Sequence, residues 1–315
     1  MTLPFTLQQL RIIKALSFER NFTKAAERLY ISQPCLSQQF KSLEKRLGIS
    51  LITRKNNQLE FTEAGKIFLT YSERILALCE ESCRALNELQ HGERGDLRIG
   101  TSPTVGTYII PRLLALFIET YPQIKLKVQI SSTKNMIKNI LNRKVDIAII
   151  GGNVPQNLMK SLDIIRFVED EFLLIVPKLH PFASQERKII NKKDLYSLNF
   201  ITLPSSSMTQ DHIDKVLRKN KIDTNRLNIV MQLDSLEAIK ASVALGLGVA
   251  FVSLSIIEKE LALKSLEIID VQDLTIKRTL SIVTNSSYQK SKALEFFHKE
   301  LISLKNENDL IFGQL

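Results

Sequence analysis

Tryptophan is absent from this chain of 315 residues, which also has only three cysteines and four histidines. So few cysteines exclude a disulfide framework. The histidines are scattered along the chain, so cysteines and histidines do not occur at the spacing that metal-binding motifs require. We therefore expect no bound metal and reduced thiols, with a redox role for Cys35 or Cys79 as the alternative. No apolar run approaches the roughly 20 residues of a membrane helix. Residues 1–9 lack the basic start and apolar core of a signal peptide, so we expect neither membrane insertion nor secretion.

Catalytic motifs are missing as well. No histidine has a nucleophile or carboxylate at motif spacing, and neither a phosphate-binding loop nor a zinc-protease pattern occurs. The segment Gly246-Leu-Gly248 lacks the third glycine and the preceding strand of a dinucleotide-binding loop, so we interpret it as a tight turn. The sequence thus predicts a protein that is not an enzyme and holds no cofactor.

Positive charge is in excess, and it is concentrated at one end of the chain. The formal net charge is +10, and residues 1–66 contain 11 Lys and Arg against 5 Asp and Glu. This segment, about a fifth of the chain, therefore carries +6. Such a concentration is suited to attracting nucleic-acid phosphates.

Residues 21–47 predict two short helices joined by a tight turn. Asn21 is a candidate N-cap for the first helix, which has a face of small and apolar side chains. Ser32 can cap the second helix, and Pro34 fits its first turn, where a missing N–H costs nothing. Gly48 is expected to end it. This pattern is typical of a helix-turn-helix.

The second helix has one apolar stripe and one face suited to contact with DNA. That face carries Gln33, Ser37, Gln38 and Lys41. Amide and hydroxyl groups can donate and accept at base edges, and a lysine can contact phosphate. The alternative is an ordinary surface helix, which more often carries pairs of Glu and Lys there. We interpret the segment as a recognition helix for the major groove.

A small hairpin is predicted at residues 50–61, where a basic tip stands between two apolar pairs and forms a wing. An amphipathic helix near residues 7–16 can pack beneath the helix pair. The residues expected to contact DNA are Thr23, Ser32, Gln33, Pro34, Ser37, Gln38, Lys41, Arg54 and Lys55.

These segments together resemble the winged helix-turn-helix of LysR-type transcriptional regulators. The resemblance lies in Phe22-Thr-Lys-Ala-Ala-Glu-Arg-Leu29, Ser32-Gln-Pro-Cys-Leu-Ser-Gln-Gln39, Leu47-Gly-Ile49 and Phe61-Thr-Glu-Ala-Gly65. It covers essentially the whole chain and implies promoter DNA as a partner, with contacts to the transcription machinery possible. The chain departs from the pattern of LysR-type regulators at two positions, because many members of that family have Arg in place of Gln38 and Phe in place of Ile52. These departures imply a different base preference.

A long helix is predicted from Thr62 to about Gln90. Its apolar residues recur at alternating threes and fours, with charged residues between them, which is typical of a seam between two helices. The seam residues are expected to be Phe68, Tyr71, Ile75, Leu78 and Leu86. We therefore expect a homodimer, which can pair further into a dimer of dimers. The alternative is a helix packed on its own domain.

Residues 91–96 are interpreted as a glycine-containing hinge, after which strands and helices alternate. The alternation predicts an α/β domain, and the resemblance implies two Rossmann-like lobes arranged as in periplasmic binding proteins. The expected domains are a winged helix-turn-helix at 1–62, a linker helix at 63–91 and an effector-binding domain at 92–315. Its first lobe spans about 92–163 and 267–305, and its second about 164–266, with crossings near Ile164 and Leu266.

Hydroxyl side chains cluster after predicted strands, where parallel sheets bind ligands and helix N-termini attract anions. Each cluster alone is more often a helix cap, but three in equivalent positions favour a small anionic ligand between the lobes. The candidate residues are Ser102, Pro103, Thr104, Thr133, Ser205 and Ser206. A sugar phosphate or NADPH is the expected type of effector.

Residues 102–114 and the pair Tyr121-Pro122 resemble the branch of the family that controls carbon-fixation genes, including the rubisco regulators of algal plastid genomes. A composition rich in Ile, Lys and Asn suits such an AT-rich genome. Membership of this branch implies that the protein is located in the plastid stroma and synthesised inside the plastid. If the protein does not belong to this branch, the expected location is a bacterial cytoplasm. The alternatives are a regulator of another operon such as sulfur assimilation, an architectural DNA protein, or a small-molecule-binding protein or enzyme with an N-terminal dimerisation module.

Overall fold

The computed structural model describes residues 3–55, 58–91, 95–152, 154, 156–184, 188–286 and 291–305. The chain forms two compact units, Met1–Gly92 with Asn142–Lys144, and Glu93–Leu141 with Val145–Leu315. Within these described ranges, no helix has both the length and the apolar character required to span a membrane.

The first unit consists of three helices, a two-stranded hairpin and a long helix. Their bounds are α1 Leu7–Glu19, α2 Phe22–Arg28, α3 Gln33–Leu47, β1 Ile52–Lys55, β2 Gln58–Phe61 and α4 Glu63–His91. The predicted caps are confirmed, because the side chains of Asn21 and Ser32 accept hydrogen bonds from the backbone N–H groups of Lys24 and Cys35. Gly48 ends α3 in the left-handed region, with φ at 67°.

One apolar core holds the elements of the first unit together. α3 contributes Leu36, Phe40 and Leu43, which pack with residues of α1, α2, the hairpin and the start of α4. Ala25 and Ala26 of α2 are both buried in this core. Their small side chains let α2 approach its neighbours closely, and this packing leaves the other face of α3 in solvent.

The second unit alternates strands and helices. Their bounds are β3 Gly95–Thr101, α5 Ile110–Thr120, β4 Ile124–Ile130, α6 Thr133–Leu141, β5 Ile147–Gly151, β6 Leu162–Pro177, β7 Ile189–Ile190, β8 Asn199–Thr202, α7 Met208–Lys219, β9 Asn228–Gln232, α8 Leu236–Ala244, β10 Ala250–Ser253, α9 Glu258–Ala262, β11 Leu266–Val271, β12 Ile276–Asn285 and α10 Lys292–Leu304. A π-helical turn at Val105–Ile109 leads directly into α5.

An eight-stranded sheet runs through this unit in the order β4-β3-β5-β12-β6-β11-β7, with β10 also paired to β6. In the first lobe, β3 is parallel to both β4 and β5, as predicted. In the second lobe, β10 and β11 are antiparallel to β6, whereas β8 and β9 form a separate parallel pair. The second lobe is therefore mixed rather than purely parallel.

The long strands β6 and β12 connect the two lobes. Their antiparallel register runs from Leu162 opposite Asn285 in the first lobe to Phe172 opposite Ile276 in the second. The first crossing therefore lies along β6, which contains the predicted position Ile164. Both lobes are therefore built on the same two strands.

The return crossing differs from the prediction. Leu266 begins β11, which pairs with β6 and β7 inside the second lobe, and Ile269 and Val271 belong to the core of that lobe. The chain returns to the first lobe through β12 instead. The prediction failed because the partners of β11 are distant in sequence, so no local spacing marks where the chain changes lobe.

The C-terminal helix α10 completes the first lobe. Phe297 packs edge-on against Phe117 of α5, with ring centroids 5.0 Å apart, in a core that includes Leu97 and Ile99 of β3. The second lobe has its own apolar clusters around Phe200 and the strands β6, β10 and β11. Each lobe therefore has its own core, and the space between them is free to hold polar groups.

Candidate DNA-binding surface and interlobe cavity

The solvent face of α3 presents the side chains predicted for base contact. Gln33, Pro34, Gln38 and Lys41 are exposed, and Ser37 is half-buried. The Gln33 Nε2 atom donates a hydrogen bond to Ser37 Oγ at 2.9 Å. These two side chains therefore lie together on one turn, where they form a short row of donors and acceptors.

The other predicted contact residues are placed less uniformly. Thr23 is exposed in the first turn of α2. Ser32 is exposed, but its Oγ already accepts from the Cys35 N–H at 3.4 Å as the cap of α3. The backbone of Arg54 and Lys55 lies in β1, and their side chains lie outside the described residues.

Tyr30 is a candidate contact that the sequence analysis missed. It lies in the turn between α2 and α3 with φ at 55°, and its side chain is 96% exposed. A non-glycine residue in the left-handed region is uncommon, and a fully exposed tyrosine beside a recognition helix can donate to a phosphate. A large aromatic residue at a predicted turn was the only sequence signal available.

The wing is held to both neighbouring helices by polar contacts. The Glu44 Oε1 atom of α3 accepts from the backbone N–H of Leu51 at 2.6 Å and from Ser50 Oγ at 3.1 Å. Thr62 Oγ1 donates to the Ser50 carbonyl at 2.8 Å and accepts from the Gly65 N–H at 2.9 Å. The start of the hairpin is therefore fixed relative to α3 by hydrogen bonds to a charged group, which are stronger than neutral ones.

The predicted seam residues of α4 divide into two groups. Tyr71, Leu78 and Leu86 are 57%, 50% and 61% exposed, which leaves them available to a partner helix. Ile75 is half-buried. Phe68 differs from the prediction, because it packs edge-on against the ring of Phe5 at 5.6 Å in the core of its own unit. The first turns of α4 close the core beside α1, and that position takes Phe68 away from the seam.

The predicted effector residues of the first lobe occupy different environments. Ser102 Oγ is buried and has no hydrogen-bond partner among the described residues. Thr104 is also buried, whereas Pro103 is exposed. Thr133 is buried too, but its Oγ1 donates to the Gly151 carbonyl at 2.9 Å. Thr133 thus has a structural hydrogen bond, whereas Ser102 keeps an unused hydroxyl.

A cavity of about 190 Å³ lies at the inner side of the second lobe and reaches Thr104 of the first lobe. The hydroxyl groups of Thr202, Thr209 and Ser253 contribute to its wall. Thr202 Oγ1 is a second buried hydroxyl without a partner among the described residues. The third predicted cluster is placed elsewhere, because Ser205 and Ser206 are exposed and are not part of the described lining.

Two charged groups beside this cavity were not predicted from the sequence. Asp170 of β6 and Arg278 of β12 are opposite one another and nearly fully buried. Arg278 Nε donates to Asp170 Oδ2 at 2.9 Å, and Nη1 donates to Thr209 Oγ1 at 3.2 Å. Asp170 Oδ1 accepts from Ser253 Oγ. The pair is separated by 108 positions, so no local pattern could have revealed it.

The Nη2 atom of Arg278 has no hydrogen-bond partner among the described residues. This atom lies 2.8 Å from Asp170 Oδ2 but without the angle of a hydrogen bond. The guanidinium also lies 4.6 Å from the centre of the Phe172 ring. A buried guanidinium and two unused hydroxyls, those of Ser102 and Thr202, are donors that match the oxygens of a small anion.

Comparison with known proteins identifies matching families and relatives. The family described as "Bacterial regulatory helix-turn-helix protein, lysR family" matches residues 7–66, and the "LysR substrate binding domain" matches residues 90–304. A protein of Phaeodactylum tricornutum named "Probable RuBisCO transcriptional regulator" is 61% identical over 305 residues, which are 97% of this chain and 99% of that protein.

Two solved structures show the same architecture. A full-length OxyR variant from Pseudomonas aeruginosa has a TM-score of 0.70 at 23% identity, and the match covers 95% of each chain. The CcmR regulatory domain of Synechocystis PCC6803, in complex with 2-PG, has a TM-score of 0.59 at 25% identity. That match covers 67% of this chain and 97% of the CcmR chain.

Gly65 provides a test of how the wing is positioned. A Cβ atom on Gly65 would lie 2.0 Å from the Leu51 carbonyl oxygen, so Gly65→Ala must push the hairpin away from α4. We expect a loss of roughly 1–3 kcal/mol in the stability of the first unit, as for overpacking elsewhere. Thermal unfolding followed by circular dichroism measures it.

Gly48→Ala is the comparison, because a Cβ there meets no atom within 4 Å and only the left-handed backbone is strained. Its cost should be about 1 kcal/mol. If Gly65→Ala unfolds at the parent's temperature, the close contact at Leu51 is not maintained in solution.

Proposed function

The chain belongs to the LysR family of transcriptional regulators, and on that premise we propose that it controls rubisco genes in response to a small anionic metabolite. The observation that carries the proposed target is the identity of 61% over 97% of the chain with a protein named "Probable RuBisCO transcriptional regulator". The family consists of DNA-binding regulators rather than enzymes. We place the protein in the plastid stroma, where that target would lie.

Binding to a rubisco-operon promoter fragment tests the target. The regulator should retard this fragment at protein concentrations that leave a shuffled fragment of equal length and composition free. Specific binding of this class is typically 10³- to 10⁷-fold tighter than nonspecific binding. Equal retardation of both fragments would contradict a specific regulator of these genes, and retardation of only a sulfur-assimilation promoter would favour the alternative target.

We propose that α3 reads base edges through Gln33, Ser37 and Gln38, with Lys41 on phosphate. Support comes from the exposure of Gln33, Gln38 and Lys41 on the face opposite the apolar stripe, where the half-buried Ser37 accepts a hydrogen bond from Gln33. Thr23, Ser32, Pro34 and the wing are expected to position the helix through the DNA backbone.

Substitutions on α3 separate base contacts from phosphate contacts. Gln33→Ala should weaken binding to the specific site by roughly 1–3 kcal/mol and leave binding to random DNA almost unchanged. Lys41→Ala should weaken both equally and lower the salt dependence by about one ion. Fluorescence anisotropy at several salt concentrations measures both effects. Equal losses for Gln33→Ala on the two DNA sequences would refute the base contact.

We propose that α4 pairs with α4 of a second copy, and that dimers associate further into tetramers. The exposed apolar residues Tyr71, Leu78 and Leu86 support this, because isolated long helices rarely expose so many without a partner.

Leu78→Asp tests the pairing of α4. It places an unpaired charge in the proposed interface, so the variant should be monomeric at concentrations where the parent is dimeric. Sedimentation velocity distinguishes these states. Glu80→Ala, on the exposed charged side of the same helix, should remain dimeric. An unchanged dimer for Leu78→Asp would place the interface elsewhere.

We propose that the effector is a small anion bound between the lobes near Arg278, Ser102 and Thr202. The volume of about 190 Å³ favours a small acid over NADPH, since sites for drug-sized ligands span about 300–1,000 Å³. The CcmR domain, whose structure contains 2-PG, supports the same chemical class.

Ser102→Ala isolates the ligand contact from the fold. The hydroxyl has no partner among the described residues, so its removal should not lower stability. It should raise the half-saturating concentration of 2-PG about 10- to 100-fold, the loss expected for one hydrogen bond to a charged group. Calorimetry measures affinity, with Ser205→Ala as the exposed control. A parental response from Ser102→Ala would exclude Ser102 as a ligand contact.

A further inference from the structure

Among the described residues, two pairs of polar side chains join the lobes outside the cavity. Tyr108, in the π-helical turn of the first lobe, donates through its hydroxyl to Glu237 of α8. Arg112 of α5 forms a two-pronged ion pair with Glu258 at the start of α9, and one of its contacts measures 3.1 Å. The donors all come from the first lobe and the carboxylates from the second.

A buried lysine organises the second-lobe side of this contact. Lys240 of α8 is 4% exposed, and its Nζ donates to the Ile256 carbonyl at 2.8 Å. The same atom lies 2.9 Å from Glu260 Oε1 and 3.1 Å from Glu237 Oε1. It also lies 4.9 Å from the centre of the Tyr108 ring. Lys240 therefore orients Glu237 towards the first lobe, and its ammonium group makes a cation–π interaction with the Tyr108 ring.

Charge balance favours the docked arrangement. The second-lobe face has three carboxylates, those of Glu237, Glu258 and Glu260, against the buried cation of Lys240 and the exposed cation of Lys259. Arg112 of the first lobe supplies a third cation, and the Tyr108 hydroxyl supplies a further donor. Burial and the Glu237 carboxylate raise the pKa of Tyr108, so this hydroxyl keeps its proton. Separating the lobes would leave the acidic face without these partners.

The same segment of chain connects this contact to the cavity. Thr104 lines the cavity, and Tyr108 follows one turn later on the same rigid stretch that continues into α5. A ligand that shifts Thr104 therefore also shifts Tyr108 and Arg112. Such a ligand alters the lobe arrangement only to the extent that it binds one arrangement better than the other.

We propose that Tyr108–Glu237 and Arg112–Glu258 form an interlobe clamp that sets the resting spacing of the lobes and thereby the behaviour of the regulator on DNA. The clamp depends neither on the identity of the target gene nor on that of the metabolite. It makes Tyr108 and Arg112 positioning residues, because they act through the lobe arrangement.

A charge exchange across the clamp tests the proposal in the full-length protein. Arg112→Glu and Glu258→Arg each place like charges together, whereas the double variant R112E/E258R restores an opposite pair. Amide hydrogen exchange of residues 104–112 and 254–260 should accelerate about five- to tenfold in each single variant and return to within about twofold of the parent in the double variant.

Two further variants keep the test independent of folding defects. Tyr108→Phe removes only the hydroxyl and keeps the ring over Lys240, so it should accelerate exchange in the same segments without altering the core. Lys215→Glu breaks an exposed ion pair with Asp211 inside α7, and exchange in the clamp segments should stay parental. Parental exchange in Arg112→Glu and Tyr108→Phe, or no recovery in the double variant, would overturn the clamp.

The effect on DNA is measured by footprinting without added metabolite. The DNA site is one that the parent protein selects from random sequences, so the result does not depend on a rubisco promoter. Arg112→Glu and Glu258→Arg should change the length of protected DNA, and R112E/E258R should restore it. If exchange accelerates while both single variants protect the parental length, the clamp does not control DNA behaviour and this part of the proposal is wrong.

Discussion

The carboxylate of Asp170 and the guanidinium of Arg278 meet with almost no exposed surface, at the point where β6 and β12 pass from one lobe to the other. Burying two charges is costly, and the cost is offset only when their remaining hydrogen-bonding groups find partners. Here Ser253 and Thr209 supply such partners from the second lobe. On the other side, a Cβ on Gly151 would lie 3.0 Å from the Arg278 guanidinium, so a side chain there would require the guanidinium to shift by a few tenths of an ångström.

The cavity and the clamp both follow from this crossing. The strands β6 and β12 pass through both lobes, so the two lobes share one pair of strands as their support. Arg278 is joined to the cavity through its hydrogen bond with Thr209, and Lys240 is a second buried charge, in α8 of the second lobe. In the proposed switch, a metabolite and the clamp act on one equilibrium between lobe arrangements, which is what such a switch requires physically.

The DNA-binding unit was largely predictable because its signals are local. Asn21 and Ser32 cap their helices through backbone groups three residues away, and Gly48 ends α3 by its own conformational freedom. The exposed face of α3 follows from the spacing of its apolar residues. For Phe68 the same apolar periodicity suits both a dimer seam and packing beneath α1, and the structure adds a contact with Phe5 that the periodicity did not reveal.

By itself, the sequence determined the winged helix-turn-helix, the long helix and the strand-helix alternation of the second unit, since each depends on spacing within a few residues. The tertiary structure decided which hydroxyls face the cavity. Thr133 is engaged with Gly151, Ser205 is exposed, and Ser102 remains unused. It also decided the crossing at β12 and the pairing of Asp170 with Arg278. These features involve contacts between residues that are far apart in the chain. They could not be predicted from local sequence patterns, because the free energy of such contacts depends on burial and geometry in the folded protein.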